Sequence, residues 1–386
     1  MSGQGGVSIL IGDVREQLRA LPANHFDSVV TSPPYWGLRD YGVAGQIGLE
    51  PTLGEHLEVM VDVFREVRRV LKNQGTLWLN YGDCYAAQPN GRSAEQYKAD
   101  GTDDRTFRDK PFSTVGPIQA RSNGGEGQHF DRRGGFLKPK DLCMIPNRLA
   151  IALQDDGWYV RSEIIWHKPN PMPESVYDRP TTAHEKVWLL TKSEDYFYNH
   201  EAIREPCSPN THARVAQDVA NQAGSMRANG GTRPGRPMKA VVRRNGTGQK
   251  AAAPGSGIKN NSSFSAAIAG QVVETRNARN VWTIAPKAFR EAHFATFPPA
   301  LAERCILAGV PATVCGYCGA ADGCGGICGH YPRNPGRVLD PFGGAGTVGL
   351  VAKQLGLDAT LIELNPEYAE MAERRIAAAI VELEAA

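Results

Sequence analysis

Two strand-and-turn segments at opposite ends of the chain set the strongest limit on its fold. Ser28–Thr31 leads into a Pro-Pro turn, and Val338–Asp340 leads into a glycine-rich turn. Short hydrophobic runs that end at Pro or Gly are typical of buried strands. Between these segments strand patterns alternate with helix patterns, which predicts an α/β fold with a mostly parallel sheet covered on both faces.

The spacing of apolar residues predicts the other elements. Residues 55–72 carry apolar side chains at helical spacing, and Asn73-Gln74-Gly75 is a stop signal after them. The other predicted strands are Val7–Ile11, Thr76–Asn80, Trp158–Trp166, Lys186–Leu190 and Ala359–Glu363, and the other predicted helices are Arg15–Leu21, residues 141–155, Thr347–Leu355 and a closing helix from Pro366.

Two polar stretches interrupt this alternation. Residues 85–140 are rich in Gly, Asn, Gln, Arg and Asp and poor in aliphatic residues, which predicts a long mobile loop. From Asp195 to Arg290 there are 14 Lys and Arg against 5 Asp and Glu, a local charge of +9. The whole chain carries +2, so the remainder sums to −7. Such asymmetry is typical of a phosphate-binding surface, although a flexible basic linker would have the same composition.

The sequence also lacks the marks of membrane and secreted proteins. It contains no run of about 18 apolar residues, so we expect no membrane span. Its first ten residues lack a basic region followed by an apolar core, so we expect no secretion signal and a cytoplasmic location.

The glycine-rich turn has the chemistry of a nucleotide-binding loop. Glycines let the backbone approach a ligand closely, and the following helix N-terminus offers free amide hydrogens. Gly344, Gly346 and Gly349 also satisfy the G-x-G-x-x-G dinucleotide fingerprint, so a nicotinamide oxidoreductase is an alternative. Only 40 of the 386 residues follow Gly346, which is short for the rest of a dinucleotide-binding half-domain.

Both turns resemble signatures of one enzyme family. Thr31-Ser32-Pro33-Pro34-Tyr35-Trp36 resembles the catalytic signature, and Val338–Thr347 the S-adenosylmethionine (AdoMet) loop, of enzymes that methylate an exocyclic amine of a base. The catalytic motif precedes the cofactor loop, which is the order of the beta class of DNA amino-methyltransferases. Residues 141–170 and His184–Val187 resemble later motifs of that class. The resemblance implies a Rossmann-like, circularly permuted sheet of seven mostly parallel strands with a smaller target-recognition region.

The resemblance also implies a domain organisation. Its parts are the catalytic half of the methyltransferase domain (1–84), a mobile polar loop (85–140), a continuation of the sheet (141–195), a basic target-recognition region (196–280) and the AdoMet-binding half (281–386), which includes a Cys-rich insertion (315–330). Basic side chains of the recognition region would hold phosphates and contact base edges, and the polar loop would close over DNA.

The implied AdoMet-binding residues come from both halves of the chain. They are Asp13, Thr31, Phe294, Asp340, Pro341, Phe342, Gly343, Gly344, Gly346, Thr347, Glu363 and Asn365. Glu363, at a strand end, would accept hydrogen bonds from the ribose hydroxyls, and Asp13 would lie near the adenine. An exposed helix-capping carboxylate is the alternative for Glu363, and an ordinary core aromatic is the alternative for Phe294.

The implied catalytic residues are those of the Pro-Pro turn, Ser32, Pro33, Pro34 and Tyr35. The lone pair of a base amine is delocalised into the ring, so fixed acceptors must orient the amine toward the methyl carbon. The Ser32 hydroxyl and the Pro33 carbonyl are such acceptors, and proline makes the turn rigid. Tyr35 would stack on the target base after base flipping. Ser32 favours N4-cytosine as the target in this family, with N6-adenine as the alternative.

Four cysteines within 14 residues suggest a metal site. Cys315, Cys318, Cys324 and Cys328 are followed by His330, with glycines in the intervening turns. In a cytoplasmic protein this spacing indicates a structural zinc ion rather than disulfides, with reduced thiols as the alternative.

The predicted partner is double-stranded DNA, and we expect no association with a membrane. A cognate restriction endonuclease and a homodimer are left open by the sequence. A non-catalytic DNA-binding module would explain the basic region but would leave both turns without a role. RNA and protein-glutamine methyltransferases share the AdoMet loop, although Asn-Pro-Pro-Tyr is the usual protein-glutamine motif and Ser32 departs from it.

Overall fold

The structure is a computed structural model that describes residues 5–37, 43, 45–86, 137–138, 140–207, 275–287, 297–321, 328 and 333–384. In these ranges the strands are β1 (Val7–Ile11), β2 (Phe26–Thr31), β3 (Leu71–Tyr81), β4 (Tyr159–His167), β5 (His184–Thr191), β6 (Glu205–Pro206), β7 (Thr275–Arg276), β8 (Val281–Thr283), β9 (Thr313–Cys315), β10 (Arg333–Pro335), β11 (Arg337–Asp340) and β12 (Asp358–Glu363). The helices are α1 (Val14–Ala20), α2 (Leu53–Val70), α3 (Ile145–Asp155), α4 (Pro299–Gly309), α5 (Thr347–Gln354) and α6 (Pro366–Glu384).

A central sheet brings the two ends of the chain together. Its strand order is β1-β12-β11-β2-β3-β5-β4-β8. The first five strands run parallel, whereas β5 is antiparallel to both β3 and β4. The C-terminal strand β11 therefore lies directly between β12 and the N-terminal strand β2, with Leu339 opposite Val29.

The α/β prediction with a mostly parallel sheet is confirmed, but the described sheet has eight strands rather than the predicted seven. The additional strand is β8, a three-residue edge strand parallel to β4. It is short and contains one buried residue, Trp282, so its sequence lacks the length and alternation that identify a strand.

Helices cover both faces of the sheet because successive strand residues point to opposite sides. Val29, Leu77 and Leu79 belong to the apolar core that also contains the buried side of α2. On the other face, Ser28 and Thr76 approach Gly309 at the end of α4. All six residues of β2 are buried, as expected for a central parallel strand.

The sequence explains where α2 begins and which side it buries. Thr52 and Glu55 form a capping box, in which each side chain accepts a hydrogen bond from the other residue's backbone amide. The buried residues recur at helical spacing and form one side of the helix; they are Leu53, His56, Met60, Val63, Phe64, Val67 and Val70.

The two predicted polar regions lie mainly outside the described residues. At the ends of the 85–140 segment, Ala86 exchanges backbone hydrogen bonds with Lys140 and Asp141. Most of the predicted basic region 196–280 is likewise outside the described residues. The chain divides into one compact unit of Met1–Ile203 with Arg279–Ala386 and a second, Arg204–Ala278, whose described residues include the antiparallel pair β6 and β7. Within the described ranges, no helix has the length and apolar character needed to cross a bilayer.

The contact between α4 and the sheet yields a stability prediction. A Cβ on Gly309 would lie 2.5 Å from Thr76 Oγ1 and 2.8 Å from Ser28 Oγ, and these hydroxyls are already hydrogen-bonded to each other. Gly309→Ala should therefore lower the free energy of unfolding by about 1–3 kcal/mol despite alanine's better helix propensity. Gly6→Ala is the control, because its nearest neighbour would be Asp358 Oδ1 at 3.8 Å. Equal stability of the two variants in urea titrations would contradict the packing.

Candidate active site

The predicted catalytic turn and the predicted cofactor loop line one pocket. The pocket lies at the carboxyl ends of β1, β12, β11 and β2, where ligands bind in open parallel sheets. The predicted residues that line it are Asp13, Ser32, Pro33, Pro34, Tyr35, Pro341, Phe342, Gly343, Gly344, Thr347, Glu363 and Asn365. Thr31, Asp340 and Gly346 are outside this lining, and Phe294 lies outside the described residues.

A buried hydrogen bond joins the two segments directly. Thr31 Oγ1, at the end of β2, donates to Asp340 Oδ1, at the end of β11, at 2.7 Å. The same oxygen accepts from the Phe342 amide at 3.1 Å. Burial raises the pKa of Asp340 to about 7. Asp340 and Thr31 therefore hold the ends of β2 and β11 together, directly before the two segments that line the pocket.

The glycine-rich loop turns sharply into α5. Gly346 has a φ of 71°, and a Cβ at this position would lie 2.7 Å from the Cβ of Ala372 in α6. Both restrictions exclude larger side chains. Arg375 from α6 donates to the Ala345 carbonyl at 2.8 Å and to Thr347 Oγ1 at 3.1 Å. The loop is thus fixed by its own backbone and by the last helix.

Glu363 is held at the pocket by two backbone amides. Its Oε2 accepts from the Gly344 amide at 2.7 Å, and its Oε1 accepts from the Asn365 amide at 2.9 Å. Burial raises its pKa. In the first turn of α6, the backbone amide of Glu367 donates to the side chain of Asn365. Glu363 is thus half-buried rather than exposed, although the Asn365 amide, from which it accepts a hydrogen bond, directly precedes α6.

Asp13 also lines the pocket and follows the end of β1, the strand that pairs with β12. It is the N-cap of α1, and its carboxylate accepts from the backbone amides of Arg15 and Glu16. Burial by itself would raise the pKa of Asp13, but the hydrogen bonds and charge of Arg15 outweigh burial and lower it. Apolar lining comes from Phe342, Ile362 and Phe297; the last belongs to the same segment as the predicted Phe294.

The ring of Tyr35 is fixed from the side of the sheet. It stacks on Tyr81 with 4.9 Å between ring centroids. Its hydroxyl donates to Glu185 Oε2 at 2.8 Å and accepts from Asn80 Nδ2 at 3.1 Å. Burial, together with the nearby Glu185, raises the pKa of Tyr35 well above its ordinary value. Ser32 Oγ lies 3.4 Å from the Tyr35 hydroxyl and accepts from Asn80 Nδ2 at 3.3 Å.

A second hydrogen-bond network, formed by Tyr81, His56 and Glu50, holds the Ser32–Tyr35 turn. Tyr81 Oη donates to the Pro34 carbonyl at 3.1 Å and lies 2.7 Å from His56 Nε2. His56 Nδ1 lies 2.8 Å from Glu50 Oε2. Burial by itself would raise the pKa of Glu50, but His56 outweighs burial and lowers it. When His56 donates from Nε2, the Tyr81 hydroxyl is free to hold the Pro34 carbonyl in place.

Sequence reasoning missed the polar residues around the turn, namely Asn80, Tyr81, Glu185, His56 and Glu50. Asn80 and Tyr81 end β3, and polar residues at the end of a parallel strand are a usable signal for a site. Glu185 is the second residue of β5, and its position depends on β5 being antiparallel to β3, which the sequence pattern does not reveal.

The described part of the Cys-rich insertion brings three thiols together. Cys315, Cys318 and Cys328 have ligand atoms that all lie within 4.8 Å of one another. Cys315 ends β9, and its carbonyl accepts from the Gly319 amide at 2.9 Å, which closes the turn that carries Cys318. Cys324 and His330 lie outside the described residues.

Comparison with known proteins gives matches over almost the whole chain. A family model described as DNA methylase, of N6/N4 type, matches residues 26–374. The Type II methyltransferase M.SmaI of Serratia marcescens is 37% identical over 369 residues, which cover 95% of this chain and 90% of that protein. The Type II methyltransferase M.XycI of Xanthomonas campestris pv. cyanopsidis is 38% identical over 372 residues, with coverage of 96% and 88%.

Among solved structures, the PvuII DNA methyltransferase, described as cytosine-N4-specific, matches with a TM-score of 0.51. It shares 15% identity, and the match covers 97% of this chain and 87% of that one. A likeness at this identity indicates a common fold.

The raised pKa of Asp340 yields a prediction about stability and pH. A carboxyl whose folded-state pKa is raised from 3.8 to about 7 stabilises the fold below the lower value, and this contribution is lost as pH rises through the higher one. Asp340→Asn should remove that loss, so between pH 5 and pH 8 the variant should gain about 2.5 kcal/mol of stability relative to wild type. Urea unfolding at both pH values measures the difference.

Thr31→Val is the matched control for this prediction. The Thr31 hydrogen bond lowers the pKa of Asp340, so its removal should make the stability of the protein fall more steeply with pH. A stability difference between Asp340→Asn and wild type that does not change with pH would contradict the prediction.

Proposed function

The chain belongs to the N6/N4 family of DNA methylases, and from this premise we propose that it transfers a methyl group from AdoMet to the exocyclic amine of a base in double-stranded DNA. The observation that carries the proposal is the single pocket lined by the Ser32–Tyr35 turn and the Pro341–Ala345 loop. The hydrogen bond between Thr31 and Asp340 fixes the distance between these two segments.

The residues of the pocket fit AdoMet, which supplies the methyl group when bound. The loop backbone around Gly344 and the N-terminus of α5 provide amide hydrogens and close approach. Glu363 presents a carboxylate at the end of β12 that suits ribose hydroxyls. Phe342, Ile362 and Phe297 provide apolar surface for an adenine ring. We assign Thr31, Asp340 and Gly346 a supporting role rather than ligand contact.

The Pro-Pro turn would bind and orient the amine. The Ser32 hydroxyl and the Pro33 carbonyl would accept the two amine hydrogens, which reduces delocalisation of the nitrogen lone pair into the ring. The face of Tyr35 that is not stacked on Tyr81 would pack against the flipped base. The turn needs no conformational change for this role, because Tyr81 and Glu185 already hold it.

We favour cytosine N4 as the methylated atom, with adenine N6 as the alternative. Ser32 supplies a neutral hydroxyl where adenine-specific relatives of this class usually carry Asp or Asn. Both amines have the same donor geometry, so the shape of the base pocket decides between them.

The other predicted parts of the molecule follow from the same proposal. The basic region 196–280 would contact phosphates and base edges, and the 85–140 segment would close over DNA. The relatives are named Type II methyltransferases, so we propose a cognate restriction endonuclease in the same host. A homodimer is a further hypothesis. Family membership favours these roles over a nicotinamide oxidoreductase or a non-catalytic DNA-binding module.

We also propose that the Cys-rich insertion binds a structural zinc ion. A tetrahedral zinc with Zn–S bonds of about 2.3 Å separates its sulfurs by about 3.8 Å, which suits three thiols within 4.8 Å. Cys324 is the proposed fourth ligand. The ion would fix the turn between β9 and β10, which leads directly into β11 and the cofactor loop.

Ser32→Ala tests the catalytic assignment. Loss of the hydroxyl acceptor should lower the single-turnover rate of DNA methylation by about 100-fold, because one oriented hydrogen bond to the reacting group is removed. AdoMet affinity, measured by calorimetry, should stay close to that of wild type. Ser8→Ala, in β1 and far along the sheet from the turn, is the matched control. A parallel loss of AdoMet affinity would contradict the assignment.

Nucleoside mass spectrometry of DNA methylated by the wild-type protein identifies the base. We expect N4-methylcytosine, and N6-methyladenine alone would contradict the preference for cytosine. Methylation of RNA or protein without methylation of DNA would contradict the proposed substrate class.

Elemental analysis tests the zinc site. Protein purified without chelators should contain one zinc ion per chain, and Cys318→Ser should lose it and unfold at lower temperature because a ligand is removed. Cys207→Ser removes a thiol outside the cluster and should keep the metal. Substoichiometric zinc in the wild-type protein would contradict the site.

A further inference from the structure

A partly buried carboxylate lies behind the catalytic turn, and the function described above uses it only to hold the Tyr35 hydroxyl in place. The side chain of Glu185 is 16% exposed, and its Oε1 forms an ion pair with Lys168 Nζ. Its Oε2 accepts from Tyr35 Oη at 2.8 Å and from Asn80 Nδ2 at 3.0 Å. Because β5 is antiparallel to β3, this first part of β5 lies where β3 ends.

The hydrogen bonds from the turn to Glu185 have a fixed direction. An ionised carboxylate only accepts hydrogen bonds, so the Tyr35 hydroxyl must donate its single proton to Glu185. Tyr35 then accepts from the Ser32 hydroxyl, which lies 3.4 Å away. With its own proton directed at Tyr35, Ser32 keeps lone pairs to accept an N–H from a base in the pocket.

Methylation of an amine creates a proton that must leave. When the amine nitrogen forms a bond to the methyl carbon, it acquires a positive charge and keeps both of its hydrogens. Neutral product forms only when one of these protons moves to an acceptor. This requirement rests on the proposed function, and a general base within reach of the amine would meet it.

We propose that Glu185 is the terminal acceptor of this proton, through Ser32 and Tyr35. The methylated nitrogen gives a proton to Ser32 Oγ, Ser32 gives its hydroxyl proton to Tyr35 Oη, and Tyr35 gives its hydroxyl proton to Glu185 Oε2. The nitrogen keeps the electron pair of the broken N–H bond. Ser32 and Tyr35 end the step neutral, and Glu185 ends it as a carboxylic acid.

The other groups that face Glu185 do not compete for this role. From β3, Asn80 contributes an amide NH₂, which donates and does not accept a proton. Lys168, directly after β4, contributes an ammonium, which is also a donor only. It is held over the ring of Trp166, with Nζ 4.5 Å from the ring centroid. Tyr35 passes a proton on but does not retain a charge, in agreement with its raised pKa.

The proton also has a way out to solvent. The side chains of Glu185 and Lys168 are 16% and 21% exposed, so this ion pair is not sealed from solvent. The accepted proton can therefore pass from this carboxyl group to solvent between turnovers.

Glu185→Gln tests the proposal, because glutamine can still accept the Tyr35 hydrogen bond but cannot take up the proton at neutral pH. The single-turnover rate constant at pH 7.5 should fall by about 100-fold, with AdoMet and DNA affinities unchanged. Glu163→Gln is the matched control: Glu163, on the neighbouring β4, pairs with Lys186 at 2.7 Å and does not contact the turn. It should keep the wild-type rate.

The pH profile separates a proton acceptor from a merely structural residue. In the wild-type protein the single-turnover rate should fall at acid pH, where a proton acceptor works less well, and this acid limb should be absent in Glu185→Gln. Tyr35→Phe keeps the ring but breaks the relay, so it should show a similar loss of rate and of the acid limb. The double variant should be no slower than either single variant, since all three lack the same path.

The outcomes distinguish a failure of the proposed function from a failure of the proton relay. A wild-type protein that does not methylate DNA would contradict the proposed function itself. An active wild type with a Glu185→Gln variant of equal rate and unchanged acid limb would overturn the relay alone. If Glu185→Gln fails to fold by circular dichroism, Tyr35→Phe decides, and a wild-type rate and pH profile in that variant would also overturn the relay.

Discussion

The site depends on the parallel pairing of β2 with β11, two strands from opposite ends of the chain. This pairing places the Ser32–Tyr35 turn beside the Pro341–Ala345 loop, and the hydrogen bond between Thr31 and Asp340 locks their separation. The link is formed by a carboxyl group that burial makes harder to ionise, so its contribution to stability varies with pH. The fold thus retains a costly buried group where it fixes the distance between the two segments.

Most polar groups around the pocket have partners within the protein, which explains how the turn keeps one conformation. Tyr81 holds the Pro34 carbonyl, Glu185 holds Tyr35, and two backbone amides hold Glu363. Asn80 Oδ1 is an exception, since it is buried without a hydrogen-bond partner among the described residues. Its amide nitrogen instead faces Ser32, Tyr35 and Glu185. The requirement for a donor near Ser32 and Glu185 therefore sets the orientation of this side chain. The energetic cost of that orientation is the missing hydrogen bond of its buried oxygen.

The helices and strands could be predicted because each sequence signal for them is contained within a few neighbouring residues. The apolar spacing of α2 and the glycines before α5 suffice to predict those elements. The end of α2 was predicted two residues late, because Leu71 and Lys72 continue the helical spacing but belong to β3. Glu185 could not be predicted, because its place beside Tyr35 depends on the direction of β5 and on pairing across the sheet. Local spacing thus predicts helices and strands, whereas the polar contacts between them depend on how the strands pair in three dimensions.

The change from parallel to antiparallel strands divides the chemistry of the site. The parallel strands β1, β12 and β11 end in turns that present backbone amides and a helix N-terminus, which suit a nucleotide-like ligand. On the other side of β2 and β3, the antiparallel β5 brings the start of a strand to the same edge, and with it Glu185 and the neighbouring Lys168. A uniformly parallel sheet would have placed Glu185 at the opposite edge. The reversal of one strand therefore brings Glu185 and Lys168 to the Ser32–Tyr35 turn, which itself lines the pocket.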